Sequence, residues 1–212
     1  MSRPFSKTSL TRRTESRPEP KNGIVICYDG ERTEHEYFLG WKRALGNQGV
    51  VISPYYVKSG GNVLNAVQAT IDKTTQCDSS DTIWCVCDMD DTPAEGVESA
   101  IALANKAGVN LAISIRCFEV WIALHWPAKS CSPILSEKEA IKLVKKHYPQ
   151  FSERKKTVPF AELFFRTDTA LANADWLRKQ AAANPRTDVH DLIKVLRSFI
   201  DEEELSKFEP RR

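Results

Sequence analysis

The chain has 212 residues, of which 42% are hydrophobic and 27% charged, and its formal net charge is +2. Such totals describe one generous soluble globular domain, or one domain with an appendage. The charge is too small to announce nucleic acid by itself. No apolar run approaches a membrane span and no apolar signal core opens the chain, so a cytoplasmic protein without a membrane partner is expected. The six cysteines include no CxxC pair. Cys27, Cys85 and Cys87 lie in apolar runs and read as small buried thiols in a reducing compartment.

Residues 1–22 are rich in Ser, Thr, Pro and Arg, carry Arg3, Lys7, Arg12, Arg13, Arg17 and Lys21, and have no apolar period. They read as a disordered basic arm. Gly23 to Tyr28 is a continuous apolar strand of the parallel-sheet type. It ends at Asp29-Gly30-Glu31-Arg32-Thr33-Glu34, where glycine permits a sharp turn and Thr33 or Glu31 opens a helix from Glu34 to Leu45. Tyr37, Phe38, Trp41 and Leu45 form the inward stripe of that helix. A second strand, Val50 to Val57, is followed by Ser59-Gly60-Gly61-Asn62 and a helix through Ala66 and Ile71.

The third strand, Thr82-Ile83-Trp84-Cys85-Val86-Cys87, delivers Asp88, Asp90 and Asp91 into the next turn. Acids at i and i+2 of a strand end point the same way. Like charges about 4 Å apart repel by roughly 1 kcal/mol in water and about 4 at an effective dielectric near 20. A divalent cation is the usual relief for oxygen-only ligands. Thr92-Pro93-Ala94-Glu95 has the form of a capping box, with Thr92 as cap, and the helix it opens stops at Gly108. Val109 to Ser114 is a fourth strand. The β-α-β-α-β-α-β order predicts an α/β fold, an open parallel sheet with helices on both faces. Sites in such sheets form at the carboxyl ends of the strands, where Asp29 and Asp88 both fall.

Phe118, Trp121, Ile122 and His125 then follow at helical spacing. A lone His on an apolar face is usually a core residue, whereas Glu119 is placed to approach the acids. From Ser136 the pattern is helical: Glu137 to His147, Pro159 to Ala183 and Asp188 to Ile200, the last capped by Thr187 or Asp188. Lys142, Lys145, Lys146, Arg154, Lys155 and Lys156 form a basic segment, either a solvated face or a phosphate-tracking surface. Three regions result: the arm (1–22), an α/β domain (23–130) and a C-terminal helical appendage packed on it (131–205).

Four stretches in order carry a resemblance. Ile24-Val25-Ile26 leads into Asp29-Gly30-x-x-Thr33-Glu34-x-x-Tyr37-Phe38. Trp84-x-Val86-x-Asp88-x-Asp90 and Cys117-Phe118-Glu119-x-Trp121-x-x-x-His125 follow, and Asn184-Pro185-x-Thr187-x-Val189-His190 closes the set. Together they resemble the RloB-like family over roughly residues 22 to 196. The resemblance implies a Toprim-like (Rossmannoid) metal-binding fold, a place in bacterial antiphage or abortive-infection loci, and a companion ATPase of the AAA or ABC type. It also implies that Asp29, Asp88 and Asp90, with Glu34, hold Mg²⁺ or Mn²⁺ and carry catalysis. Glu31, Asp91, Glu119 and His125 are possible accessories, and Lys142, Lys145, Lys146 and Arg154 the nucleic-acid contacts. The family's first-strand acid is usually Glu before Gly, whereas Asp29 stands here. A carboxylate one methylene short displaces a metal or water by about an ångström, which can cost ~10²-fold in rate.

The leading expectation is therefore a metal-dependent nuclease acting on nucleic acid, with tRNA or other RNA as candidates by analogy between families. One alternative is a non-catalytic Toprim-like scaffold that binds the ATPase. Another takes Asp88-x-Asp90-x-Thr92 as the nucleophile motif of a haloacid-dehalogenase-like phosphatase, although that motif normally follows a first strand. Topoisomerase and primase functions need further domains that 212 residues cannot hold.

Overall fold

The computed structural model describes residues 23–46, 48–89, 92–127, 136–152, 154–180 and 184–200. The basic arm, the charged tail, Asp90, Asp91 and Ala181 to Ala183 lie outside them. Four strands, β1 (Gly23–Tyr28), β2 (Val51–Tyr56), β3 (Thr82–Asp88) and β4 (Val109–Ser114), make one sheet. Every pairing is parallel and the order is β2-β1-β3-β4. The helices are α1 (Thr33–Ala44), α2 (Val63–Lys73), α3 (Ala94–Ala107), α4 (Glu119–Ala123), α5 (Glu137–His147), α6 (Phe160–Phe164), α7 (Thr167–Lys179) and α8 (Val189–Arg197).

The strand order decides which face each helix covers. The chain steps one way from β1 to β2, then crosses back over β1 to reach β3 and continues to β4. Right-handed crossovers therefore place α1 on one face and α2 and α3 on the other. The buried clusters agree. Cys85, Cys87, Val109 and Ile113 pack with Val63, Ala66 and Val67 of α2 and Ala100 and Ala104 of α3. Ile24, Ile26, Tyr28, Trp84 and Val86 face Tyr37, Phe38 and Trp41 of α1.

One helix cannot cover that second face, and the C-terminal half completes it. Leu163, Phe164, Leu177, Leu192 and Leu196 belong to the same cluster as Ile26 and Trp41. The C-terminal helices thus share the main core of the sheet. Arg186 to Asp188 also lies antiparallel beside the end of β4: Ile115 N–H donates to Arg186 O and Asp188 N–H to Ile113 O, both at 2.8 Å. The Ser114 and Thr187 hydroxyls meet at 2.9 Å in the buried bridge, so the motif Asn184 to His190 covers the carboxyl end of the edge strand β4.

Gly108 caps α3 with φ 71°, as its sequence signal requires. Two other caps differ from expectation. The helix at Thr92 begins at Ala94 behind Pro93, without a side-chain cap, and the buried Thr92 hydroxyl has no partner among the described residues. Thr33 is inside α1 rather than capping it, because its hydroxyl is drawn to tertiary partners. The expected helix from Pro159 is broken at Phe165 and Arg166. There the chain turns after packing Phe160 and Phe164 on Trp41.

Candidate functional site

Because β1 sends one connection to β2 and receives the next strand, β3, on its other side, the sheet's switch point lies between β1 and β3. Parallel sheets open a crevice at such a point, beyond the carboxyl ends of the strands. Asp29 leaves β1 there and Asp88 ends β3. Two adjoining cavities occupy the crevice. The first, about 430 Å³, lies between Glu31, Glu34, Asp88, Glu119 and Glu137 and the cations Arg32 and Lys156. The second, about 340 Å³, is lined by Asp29, Glu31, Tyr56, Lys58, Ser59 and Asp88, among others. Asp88 and Glu31 border both.

Asp88 continues the face of Trp84 and Val86 by strand alternation. Asp29 meets it across the second cavity, with Oδ2 accepting from the Ser59 hydroxyl at 2.8 Å. That hydroxyl also accepts from Gly61 N–H at 3.1 Å, so the loop after β2 fixes the rotamer of the β1 acid. Glu31 is turned outward, and its Oε1 accepts from Tyr56 Oη at 3.1 Å.

Glu34 is buried, at 6% exposure, and Gly30 makes its position possible. A Cβ on residue 30 would fall 1.9 Å from Glu34 Oε2 and 2.0 Å from its carboxyl carbon. Burial, then the neighbouring Glu119 and Asp29, push the Glu34 carboxyl up to about 8. Glu119, at 4% exposure, accepts from the Thr33 hydroxyl at 3.1 Å and stands 3.9 Å from Lys156 Nζ. Lys156 also pairs with Glu137. Burial pulls the Lys156 ammonium down, but Glu137 and Glu119 outweigh it and leave the group above its ordinary value, hence charged. The Cys117 thiol at the cavity wall is held well above its ordinary value by burial, Glu119 and Asp88, so it stays protonated and is no nucleophile.

A loop of the C-terminal half closes the outer wall. Arg32 Nη1 donates to Arg154 O at 3.1 Å and the Thr33 hydroxyl to Lys156 O at 3.2 Å. The structure therefore brings together Asp29, Glu31, Glu34, Asp88 and Glu119, while Asp90 and Asp91 lie outside the described residues. His125 is elsewhere. It is fully buried against Tyr37 and Trp121, with Nδ1 3.1 Å from Trp121 O. Burial lowers its pKa to about 4, so it is a neutral core residue. Lys142, Lys145 and Lys146 are exposed on α5 and line neither cavity. Helical rise puts Lys145 about 12 Å along the axis from Glu137. Arg154 contributes its backbone.

Sequence reasoning did not single out Glu137, Tyr56, Lys58 or Ser59 as site residues, and it named Lys156 only as one of six residues in a basic segment. Tyr56, Lys58 and Ser59 carried a usable signal, since they follow a parallel strand at its carboxyl end, as Asp29 and Asp88 do. Lys156 is indistinguishable in sequence from Lys155, because neither sits in a periodic element.

The donor set is all oxygen, and carboxylates outnumber cations around both cavities. That chemistry fits a hard divalent cation such as Mg²⁺ or Mn²⁺. Among the described residues no three His, Cys, Asp or Glu side chains stand close enough to hold an ion alone. Among the described residues no helix is long and apolar enough to cross a membrane.

Fold and site together define the class: an open, all-parallel Rossmannoid α/β protein with an oxygen-rich cleft at its switch point. The chain belongs to the RloB-like family, whose sequence model, described as RloB-like protein, matches residues 24–196. Comparisons with curated proteins and with solved structures returned no match.

Proposed function

We propose that the protein is a metal-dependent, Toprim-type nuclease, the effector of a bacterial antiphage system with an AAA- or ABC-type ATPase partner. The observation that carries the nuclease reading is the meeting of Asp29 and Asp88, remote in sequence, on one cavity at the switch point. Antiphage context and the ATPase rest on family membership. Asp29 and Asp88, with Asp90, would hold the ion, and Glu34 would serve either as a further ligand or as the base. Bound there, Mg²⁺ or Mn²⁺ would polarise the phosphodiester and make a water nucleophilic at neutral pH. Ser59 keeps the shorter Asp29 carboxylate oriented. As the base, Glu34 would draw on the burial and the neighbouring acids that raise its carboxyl toward neutral pH. The Lys156 ammonium at the cavity wall favours a phosphate oxygen.

The test uses full-length protein with Mn²⁺ or with chelator on a panel of tRNA, single-stranded RNA and plasmid DNA. Wild type should cut at least one substrate, and Asp88→Asn should lose about 10²-fold or more of that activity. Intact substrates throughout, or equal cutting by Asp88→Asn, would overturn the reading. Calorimetric titration with Mg²⁺ separates a nuclease from a scaffold for the ATPase, which needs no cation and would be indifferent to Asp88→Asn.

A further inference from the structure

Tyr56 and Lys58 have no part in the chemistry above, yet both border the cavity that holds Asp29 and Asp88. Tyr56 is the last residue of β2, and β2 has no neighbour on its outer side among the described residues. A tyrosine ring at a strand end is 41% exposed, and its hydroxyl is tied to Glu31 at 3.1 Å. The ring is thereby held at the mouth of the cavity rather than folded against the sheet. Lys58, two residues on, is exposed. It forms no ion pair with the described residues, although three carboxylates line the same cavity. Gly60 follows with φ 69° and Gly61 with φ 76°; a Cβ on Gly60 would meet nothing within 4 Å. Between ring and acids lies about 340 Å³ of open space, the lower end of the size range of ligand pockets.

From this juxtaposition we infer that the end of β2 is a subsite for one unpaired nucleotide, so that the substrate is single-stranded nucleic acid. Tyr56 stacks on the base and Lys58 neutralises its phosphate, while the neighbouring phosphodiester reaches Asp29 and Asp88. Residues 56 and 58 stand at most about 7 Å apart along the chain, so one nucleotide touches both. A base inside a duplex has both faces covered by its neighbours and cannot present one to a side chain at a cavity rim. A strand or loop with an unstacked base can. The inference rests on the nuclease reading of the same cleft and names the substrate class for it.

Binding is read apart from cleavage, by fluorescence anisotropy of the full-length Asp88→Asn protein in chelator. The probes are labelled mixed-sequence oligonucleotides as single-stranded RNA, single-stranded DNA and the corresponding duplexes. Single strands should bind more tightly than duplexes, and whichever strand binds better identifies the sugar. Adding Tyr56→Ala should weaken single-strand binding about 5- to 150-fold, whereas Tyr56→Phe, which keeps the ring and loses only its tie to Glu31, should weaken it less than Tyr56→Ala does. Lys58→Ala should weaken binding and lower the slope of log affinity against log salt by about 0.7. Equal or tighter duplex binding, no binding of any probe, or indifference to Tyr56→Ala and Lys58→Ala would overturn the inference. Cleavage that survives Tyr56→Ala unchanged would leave the nuclease standing without this subsite. Tyr56-dependent single-strand binding without cleavage would do the reverse.

Discussion

Replacing Glu34 by Gln tests the electrostatic argument without requiring a substrate. An unfolded Glu34 titrates near 4.5, whereas in the fold burial, Glu119 and Asp29 hold it near 8. Between those values the folded chain keeps a proton that the unfolded chain has lost. Stability contributed by Glu34 is therefore fully present below pH 4.5 and is lost as pH rises toward 8. At 1.36 kcal/mol per unit, the ceiling on that loss is about 5 kcal/mol. The cavity admits water and the Lys156 ammonium stands nearby, so we expect roughly 2 kcal/mol. Gln is nearly isosteric and carries no titrating proton, so Glu34→Gln should gain on wild type steadily across this window. Urea unfolding followed by circular dichroism near pH 5 and near pH 8 measures the difference. Millimolar Mg²⁺ should restore wild type near pH 8 by binding the carboxylate, and should do less for the variant. Parallel stability curves for the two proteins, with or without Mg²⁺, would refute the reasoning.

Gly30→Ala should drive the Glu34 carboxyl more than an ångström out of place, since the new Cβ falls 1.9 Å from Oε2. Metal-stimulated cleavage should drop about 10²-fold, while the urea midpoint moves much less than in Glu34→Ala. Gly40→Ala would put a methyl 2.1 Å from Phe160 Cγ, on a ring backed by Trp41 and Phe164. We expect a loss of about 1–3 kcal/mol in chemical denaturation, partly recovered in the double variant with Phe160→Leu. His125 titrates near 4 in the fold and near 6.5 unfolded. Its contribution is present above pH 6.5 and falls away as pH drops toward 4, by about 3 kcal/mol in all. His125→Gln should flatten that part of the acid-unfolding curve, and an unchanged acid midpoint would exclude the assignment.

The periodicity of the chain was enough to place the four strands and their parallel class. Each strand is a short β-branched run bounded by turn residues, and each connection is a helix of the length that a parallel crossover needs. Parallel pairing follows from those connections, whereas the order β2-β1-β3-β4, which puts helices on both faces and sets Asp29 beside Asp88, was visible only in the structure. Gly108 and the span Glu137 to His147 were legible for the same reason, because caps and amphipathic stripes are local.

Packing decided what local rules leave open. Thr33 has the chemistry of a cap, yet its hydroxyl reaches Glu119 and Lys156 O instead, because those partners are brought to it by residues far along the chain. The helix after Pro159 reads as continuous but breaks once Phe160 and Phe164 seat on Trp41. Lys156 became a cavity residue while Lys142, Lys145 and Lys146 stayed in solvent, since a loop pinned by Arg32 and Thr33 brings the first to the acids. The sequence by itself determined which strands carry carboxylates to the sheet's carboxyl edge. Only the tertiary structure decided which cations, hydroxyls and rings face them, because those side chains come from loops and later helices whose approach is set by core packing.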